Sequence, residues 1–152
     1  MSPVVVAERP DTADAMLLIE ELEAYLAPQY PVESRHGYSV EKLIRQKVAF
    51  FVMRQDGVPA GCGGVQLFGT AYGEVKRMYV RPQFRGLGLA KLMLNRLAEH
   101  ALQQGVPVLR LETGIYQTEA IGLYERWGFE RIPPFGDYQA DPLSLFYEKR
   151  IG

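Results

Sequence analysis

Three observations predict a mixed α/β fold for this chain. Strand-like segments follow one another between Val48 and Val80 across an Asp-Gly turn, a long amphipathic helix comes next, and another strand-like segment follows that helix. Adjacent strands joined by tight turns pair antiparallel, whereas a strand, a helix and a strand in that order imply a parallel pair with a crossover helix. One sheet therefore carries both kinds of pairing.

Taken in order, "VVVAER" (Val4 to Arg9) is rich in β-branched residues and ends at Pro10, as a short first strand would. Asp11 is placed to cap a helix with Ala15, Leu18, Ile19, Leu22 and Leu26 at helical spacing, and Pro28 and Pro31 end it. The segment "QYPVESRHGY", Gln29 to Tyr38, mixes breakers with aromatic and charged residues and reads as a loop before a short helix from Val40 to Arg45. "VAFFVMR" and "VPAGCGGVQLF" form a hairpin, because Asp56-Gly57 supplies the positive φ angles of a tight turn, and Glu74 to Val80 is the next strand.

From Gly88 to Gln104 the period becomes helical, with Ala90, Met93, Leu94, Leu97 and Ala101 on one face. Gly105 and Pro107 stop this helix, and "VPVLRLETG" follows as a buried strand. Thr118 to Trp127 forms a further helix with Ala120, Leu123, Tyr124 and Trp127 on one stripe, ended by Gly128. "FERI" and "LSLFYEKRI" close the sheet on either side of "PPFGDYQADP".

The 152 residues fit a single domain, 1–152, and at 47% hydrophobic and 23% charged residues they have an ordinary globular composition. A net charge of −1 argues against nucleic acid as the main partner, although Lys76, Arg77, Arg81, Arg85 and Lys91 form a local basic cluster. No apolar run approaches the roughly 20 residues that span a bilayer, and "MSPVVVAERP" lacks the features of a signal peptide, so a cytoplasmic protein without a membrane partner is expected. Cys62 is the sole cysteine and His36 and His100 the only histidines, which leaves neither a disulfide framework nor a thiolate or histidine-rich metal site.

Gly86 and Gly88 stand between a strand and a helix, where glycine lets a ligand approach the backbone and the free N–H groups of the helix start favour an anion. A nucleotide P-loop needs Gly-Lys-Ser/Thr after its spacer, and none is present; a dinucleotide fingerprint needs a small residue where Lys91 stands.

Arginine, two residues, glycine, one residue, alanine remains: Arg85, Gly88 and Ala90. This pattern resembles the acetyl-CoA pyrophosphate loop of the GCN5-related N-acetyltransferases (GNAT). The preceding "RMYVRPQ" resembles that family's fourth strand and its exit, and "QTEAIGLYERWGF" resembles a second family segment, matching at Ala120, Leu123, Tyr124, Gly128 and Phe129, with Gln117 where the family often has Asn. The resemblance implies a single-domain fold with a twisted, mostly antiparallel sheet of about seven strands, a parallel splayed pair in its middle and about four flanking helices. It further implies acetyl-CoA as cosubstrate with no metal, bound by Met78, Tyr79 and Val80 on the strand, by Arg85, Gly86, Leu87, Gly88, Leu89 and Ala90 in the turn, and by Gln117.

Acetyl transfer to an amine needs a neutral nucleophile, a stabilised oxyanion and a proton for the leaving thiolate. An alkyl ammonium has a reference pKa near 10.4, so a base must take its proton at neutral pH. Glu74, opening the fourth strand, is the expected base and Glu112 on the next strand the runner-up. Tyr124 is the proton donor implied by the resemblance, with a main-chain N–H of Met78 to Val80 holding the oxyanion. An acyl-enzyme on Cys62 is disfavoured, since no histidine stands beside it. His36 and Tyr38 on one loop, Phe135 and Tyr138 on another, and Glu112 are expected to wall the acceptor site, with Asp137 and Asp141 drawing in a cationic amine.

The expected activity is acetyl-CoA-dependent acetylation of a primary amine, on a small molecule or a peptide, by direct attack in a ternary complex. The alternative is a non-catalytic acyl-CoA-binding module of the same fold. The acceptor is not legible in the chain, and a homodimer is a reasonable guess at its assembly.

Overall fold

Alternation along the strands decides the layers. In the computed structural model, which describes residues 2–152, Phe50 and Val52 of strand β2 (Ala49–Gln55) join one apolar cluster while Phe51 and Met53 join another on the opposite face. Successive side chains of a strand point to opposite faces, so a strand apolar at every position must be covered on both sides. Helices α1 (Ala13–Leu26) and α2 (Val40–Arg45) cover one face through Ala15, Leu18, Ile19, Leu22 and Leu43. Helix α3 (Leu89–Gln103) covers the other through Leu89, Met93, Leu94, Leu97 and Ala101, joined by Tyr124 of α4 (Thr118–Trp127).

The remaining strands are β1 (Val4–Ala7), β3 (Val58–Phe68), β4 (Tyr72–Val80), β5 (Val108–Gly114), β6 (Glu130–Ile132) and β7 (Ser144–Arg150). They assemble in the order β1-β2-β3-β4-β5-β7-β6, antiparallel throughout except for β4 and β5. The fold class read from the sequence is the one observed, with Asp56 and Gly57 at φ 52° and 79° in the turn between β2 and β3.

One local expectation needs correcting. Thr12, not Asp11, caps α1: its hydroxyl accepts from the Ala15 N–H at 3.3 Å, while Asp11 accepts from the Arg9 guanidinium at 2.8 and 3.0 Å. Both residue types cap well, and the adjacent arginine decides which of the two carries out that role.

Two departures from regular pairing shape the middle of the sheet. The parallel ladder of β4 and β5 holds only at Gly73 with Leu109 and Glu74 with Arg110, so from Val75 onward the two strands part. In the same region β4 carries one extra residue against β3, since Lys76 pairs with Gly64 but Tyr79 with Cys62, and Arg77 takes a φ of 53°. A bulge twists and bends its strand, and here it accompanies the opening of a gap between β4 and β5. Among the described residues no helix is long and apolar enough to cross a membrane, and no group of three or more His, Cys, Asp or Glu could hold a metal ion.

Candidate active site

Two clefts meet at that gap. The wider one, about 560 Å³, lies between the turn after β4 and the start of α4. Gly86 and Gly88 adopt φ 82° and 77°, and a Cβ built on either would meet nothing within 4 Å. Glycine is needed for the backbone angle, and open space lies in front of it. Gly88 stands at the N-terminus of α3 without a side-chain cap, so the first N–H groups of a fifteen-residue helix lack a capping partner. Leu89 is buried and anchors the helix, while Arg85, Gly86, Leu87 and Gly88 are exposed. Such a turn fits a phosphate group on elementary grounds.

The other predicted cofactor contacts divide. Met78, Val80, Ala90 and Gln117 line the wide cleft with Arg85, whose guanidinium reaches Glu119 on α4 at 3.8 Å. Tyr79 also borders the cleft, but its side chain packs in the α1-side cluster and its hydroxyl donates to Glu21 at 3.1 Å. Its main chain is what remains for a ligand. The Gln117 amide donates to the Tyr30 hydroxyl at 3.2 Å, and that hydroxyl also accepts from the Tyr116 N–H at 2.9 Å. Tyr30 thus fixes the start of α4, a role no sequence motif announces.

The smaller cavity, about 140 Å³, lies on the α1 side of the gap and is walled by side chains from distant segments. Glu74, expected to open β4 but lying two residues inside it, is buried beside Lys76: the ammonium is 2.8 Å from its Oε2, which also accepts from the Tyr138 hydroxyl at 2.5 Å. Lys76 is held further by the Tyr138 hydroxyl at 3.2 Å and by the face of Tyr38, 3.9 Å from the ring centroid. Burial pushes the Lys76 pKa down, against the pull of Glu74. Two residues apart on a strand, Glu74 and Lys76 share a face, a signal present in the sequence although Lys76 was not singled out as a site residue.

Glu112 has a different environment. Burial raises its carboxyl pKa to about 7, against the opposing hydrogen bond from Ser144 Oγ at 2.9 Å and the charge of Lys76. Tyr124 is buried, and among the described residues its hydroxyl makes no hydrogen bond. Burial, with a contribution from Glu112, raises its pKa, so the phenol keeps its proton at neutral pH. Tyr124, Met78, Gln117 and Ala120 line both clefts and mark where they join.

His36 lines the small cavity edge-on to Tyr138, its ring 5.3 Å away; burial lowers its pKa although Asp141 opposes this. Phe135 stands behind Tyr138, packed on Tyr72, Tyr138 and Phe146, and supports the wall without lining it. Asp141 is engaged elsewhere, accepting from Ser34 Oγ at 2.7 Å and the Leu143 N–H at 2.8 Å. Cys62 is fully buried, donates to the Arg77 carbonyl at 3.3 Å, and has its pKa pushed up to about 12 by burial, so it stays a thiol and is a poor nucleophile.

Comparison with known proteins matches this architecture. The model of the Acetyltransferase (GNAT) family fits residues 17–129. An IAA acetyltransferase of Azospirillum brasilense is 42% identical over 99% of this chain and 100% of its own length. The uncharacterized N-acetyltransferase YsnE of Bacillus subtilis is 36% identical over 80% of this chain and 82% of its own. Among solved structures, a Klebsiella pneumoniae chain named as an acyl-CoA N-acyltransferase superposes with a TM-score of 0.84 at 34% identity, covering 99% of this chain and 98% of that one. With the turn, the parted strands and the two matching segments in place, the chain belongs to the GNAT family of acetyltransferases.

Proposed function

We propose that the protein transfers an acetyl group from acetyl-CoA to a primary amine by direct attack in a ternary complex. The observation that supports this most is the junction of the two clefts at Tyr124 and Met78, which would let a cofactor on one side and an acceptor on the other meet in one gap. The Arg85–Ala90 turn suits a pyrophosphate, and a structure of the same fold, the PaiA N-acetyltransferase of Thermoplasma acidophilum, was solved in complex with coenzyme A (TM-score 0.76, 19% identity, 99% of both chains). Bound acetyl-CoA supplies an activated acyl group. From Val75 onward β4 lacks a strand partner on its β5 side, and a main-chain N–H of Met78 to Val80 is the donor assigned to the oxyanion.

For proton removal from the amine, Glu112 is the better candidate of the two carboxylates. A base with a pKa near the working pH balances availability with strength, and Glu112 lies near 7. Glu74 is engaged by Lys76 and Tyr138, and its part is to hold them in place. Tyr124, protonated and at the junction, gives its proton to the leaving thiolate. The test is release of free CoA thiol from acetyl-CoA in the presence of a panel of amines. Coenzyme A binding with no amine-dependent thiol release from any of them would favour the non-catalytic binding module instead.

A further inference from the structure

One charge in the acceptor cavity has no answer within the protein. Lys76 is paired with Glu74 at 2.8 Å and Arg77 with Glu23 at 2.8 Å, so those charges compensate each other. Arg35 is the exception. It lines the cavity, its Nε is buried without a hydrogen-bond partner, and among the described residues its guanidinium meets no carboxylate and no aromatic face. A guanidinium keeps its charge at any relevant pH, and a buried donor without an acceptor is costly.

The arginine is also held in place. Its N–H bonds the Val32 carbonyl at 3.1 Å; Ser34 before it is tied to Asp141 at 2.7 Å, and the Tyr38 carbonyl after it accepts from Arg77 Nε at 2.9 Å. A Cβ on Gly37, between them, would collide with the Arg77 guanidinium, so a side chain there would have to displace it. The main chain that carries this cation is therefore held at the wall of a small cavity.

We propose that Arg35 binds a carboxylate on the acceptor, so that the preferred acceptor is a small amino acid carrying both a free amine and a carboxylate. The inference rests on the acetyltransferase reading above and names the substrate class of that site. Guanidinium and carboxylate match as planar, two-pronged partners. A zwitterion would leave the cavity with its charges matched, its carboxylate on Arg35 and its amine toward Glu112. A polyamine would instead set a second cation beside Arg35 and Lys76, with Glu74 and Glu23 already paired. A phosphorylated amine would bring more negative charge than one arginine neutralises.

The test compares kcat/KM for glycine, β-alanine, serine, methionine, phenylalanine and glutamate with that for each one's carboxamide, and adds spermidine and O-phosphoethanolamine. The wild type should favour at least one acid over its amide by about tenfold to a hundredfold, the range expected for a partly exposed charge pair. Arg35→Met should bring that ratio close to one, chiefly through KM, and Arg35→Lys should restore part of it. Amides, spermidine or O-phosphoethanolamine turning over as well as the best acid in the wild type would overturn the proposal, as would equal losses on acid and amide in Arg35→Met. Acetylation of those other amines would leave the acetyltransferase reading standing, whereas coenzyme A binding with no amine-dependent thiol release would remove both.

Discussion

The two clefts that meet at Tyr124 are built from different materials. The wide cleft is largely a matter of backbone, with Gly86 and Gly88 at positive φ, an uncapped helix start and a strand edge without a partner. The small cavity is built from side chains contributed by α1, the 30–37 loop, β4, β5, α4 and the loop before β7, with a buried Glu74–Lys76–Tyr138 cluster in its wall. A backbone site can be written in a few consecutive residues, because local conformation suffices to make it. A side-chain site needs the whole fold to bring its parts together, and it is free to change its ligand while the fold stays the same.

The largest expected effect lies at the junction. Tyr124→Phe keeps the ring that packs against Phe129 at 5.7 Å and removes only the hydroxyl. Turnover should fall by about 10²–10⁴-fold, the usual worth of positioned proton transfer, with coenzyme A affinity and melting temperature near wild type. Retention of most of the turnover would make Tyr124 a packing residue alone.

Next comes the backbone-built side. Gly88→Asp sets an anion where the turn would meet the pyrophosphate, and like-charge contact is worth several kcal/mol. Coenzyme A affinity measured by calorimetry should weaken about a hundredfold or more, while the fold survives, because Asp tolerates a positive φ better than most residues. Unchanged affinity would remove the turn from the cofactor site.

The smallest effect is on the side-chain-built side. With Glu112 at about 7, its contribution to kcat/KM should rise with pH through neutrality, because the base works only when ionised. Glu112→Gln should lower the rate by about tenfold to a hundredfold at pH 7, less as pH rises toward the amine's own pKa, and should abolish that rise. Stability should move the other way. A carboxyl whose folded pKa lies above its unfolded value, here 4.5, favours the fold at low pH and loses that contribution as pH rises from about 4.5 to about 7. Glu112→Gln should therefore melt higher than wild type at pH 8. An unchanged pH profile would return the base to Glu74.

Much of the fold was legible in the residues. The Asp56-Gly57 hairpin, the helix from Thr118 to Trp127 ended by Gly128 at φ 112°, and the strand–helix–strand order around α3 follow from local signals with a physical cause. Asp11 was expected as the cap of the first helix and Thr12 takes that place, because the Arg9 guanidinium engages Asp11. Of the small cavity's lining, the sequence reading names His36, Tyr138, Glu74 and Glu112 as site residues but not Lys76 or Arg35. Phe135 and Tyr38 were expected in the lining; Phe135 stands one layer behind it, and Tyr38 covers the Lys76 ammonium without lining the cavity.

The sequence by itself determined the order of strands and helices, the placement of two glycines at a helix start and the family, because periodicity, turn chemistry and short motifs act over a few neighbouring residues. The tertiary structure decided where β4 and β5 part, which of two carboxyls is raised to about 7, and that Lys76 is neutralised while Arg35 is not. Burial and pairing depend on segments up to about a hundred residues apart, as between Ser34 and Asp141, and no local pattern encodes the environment that such segments make for one another.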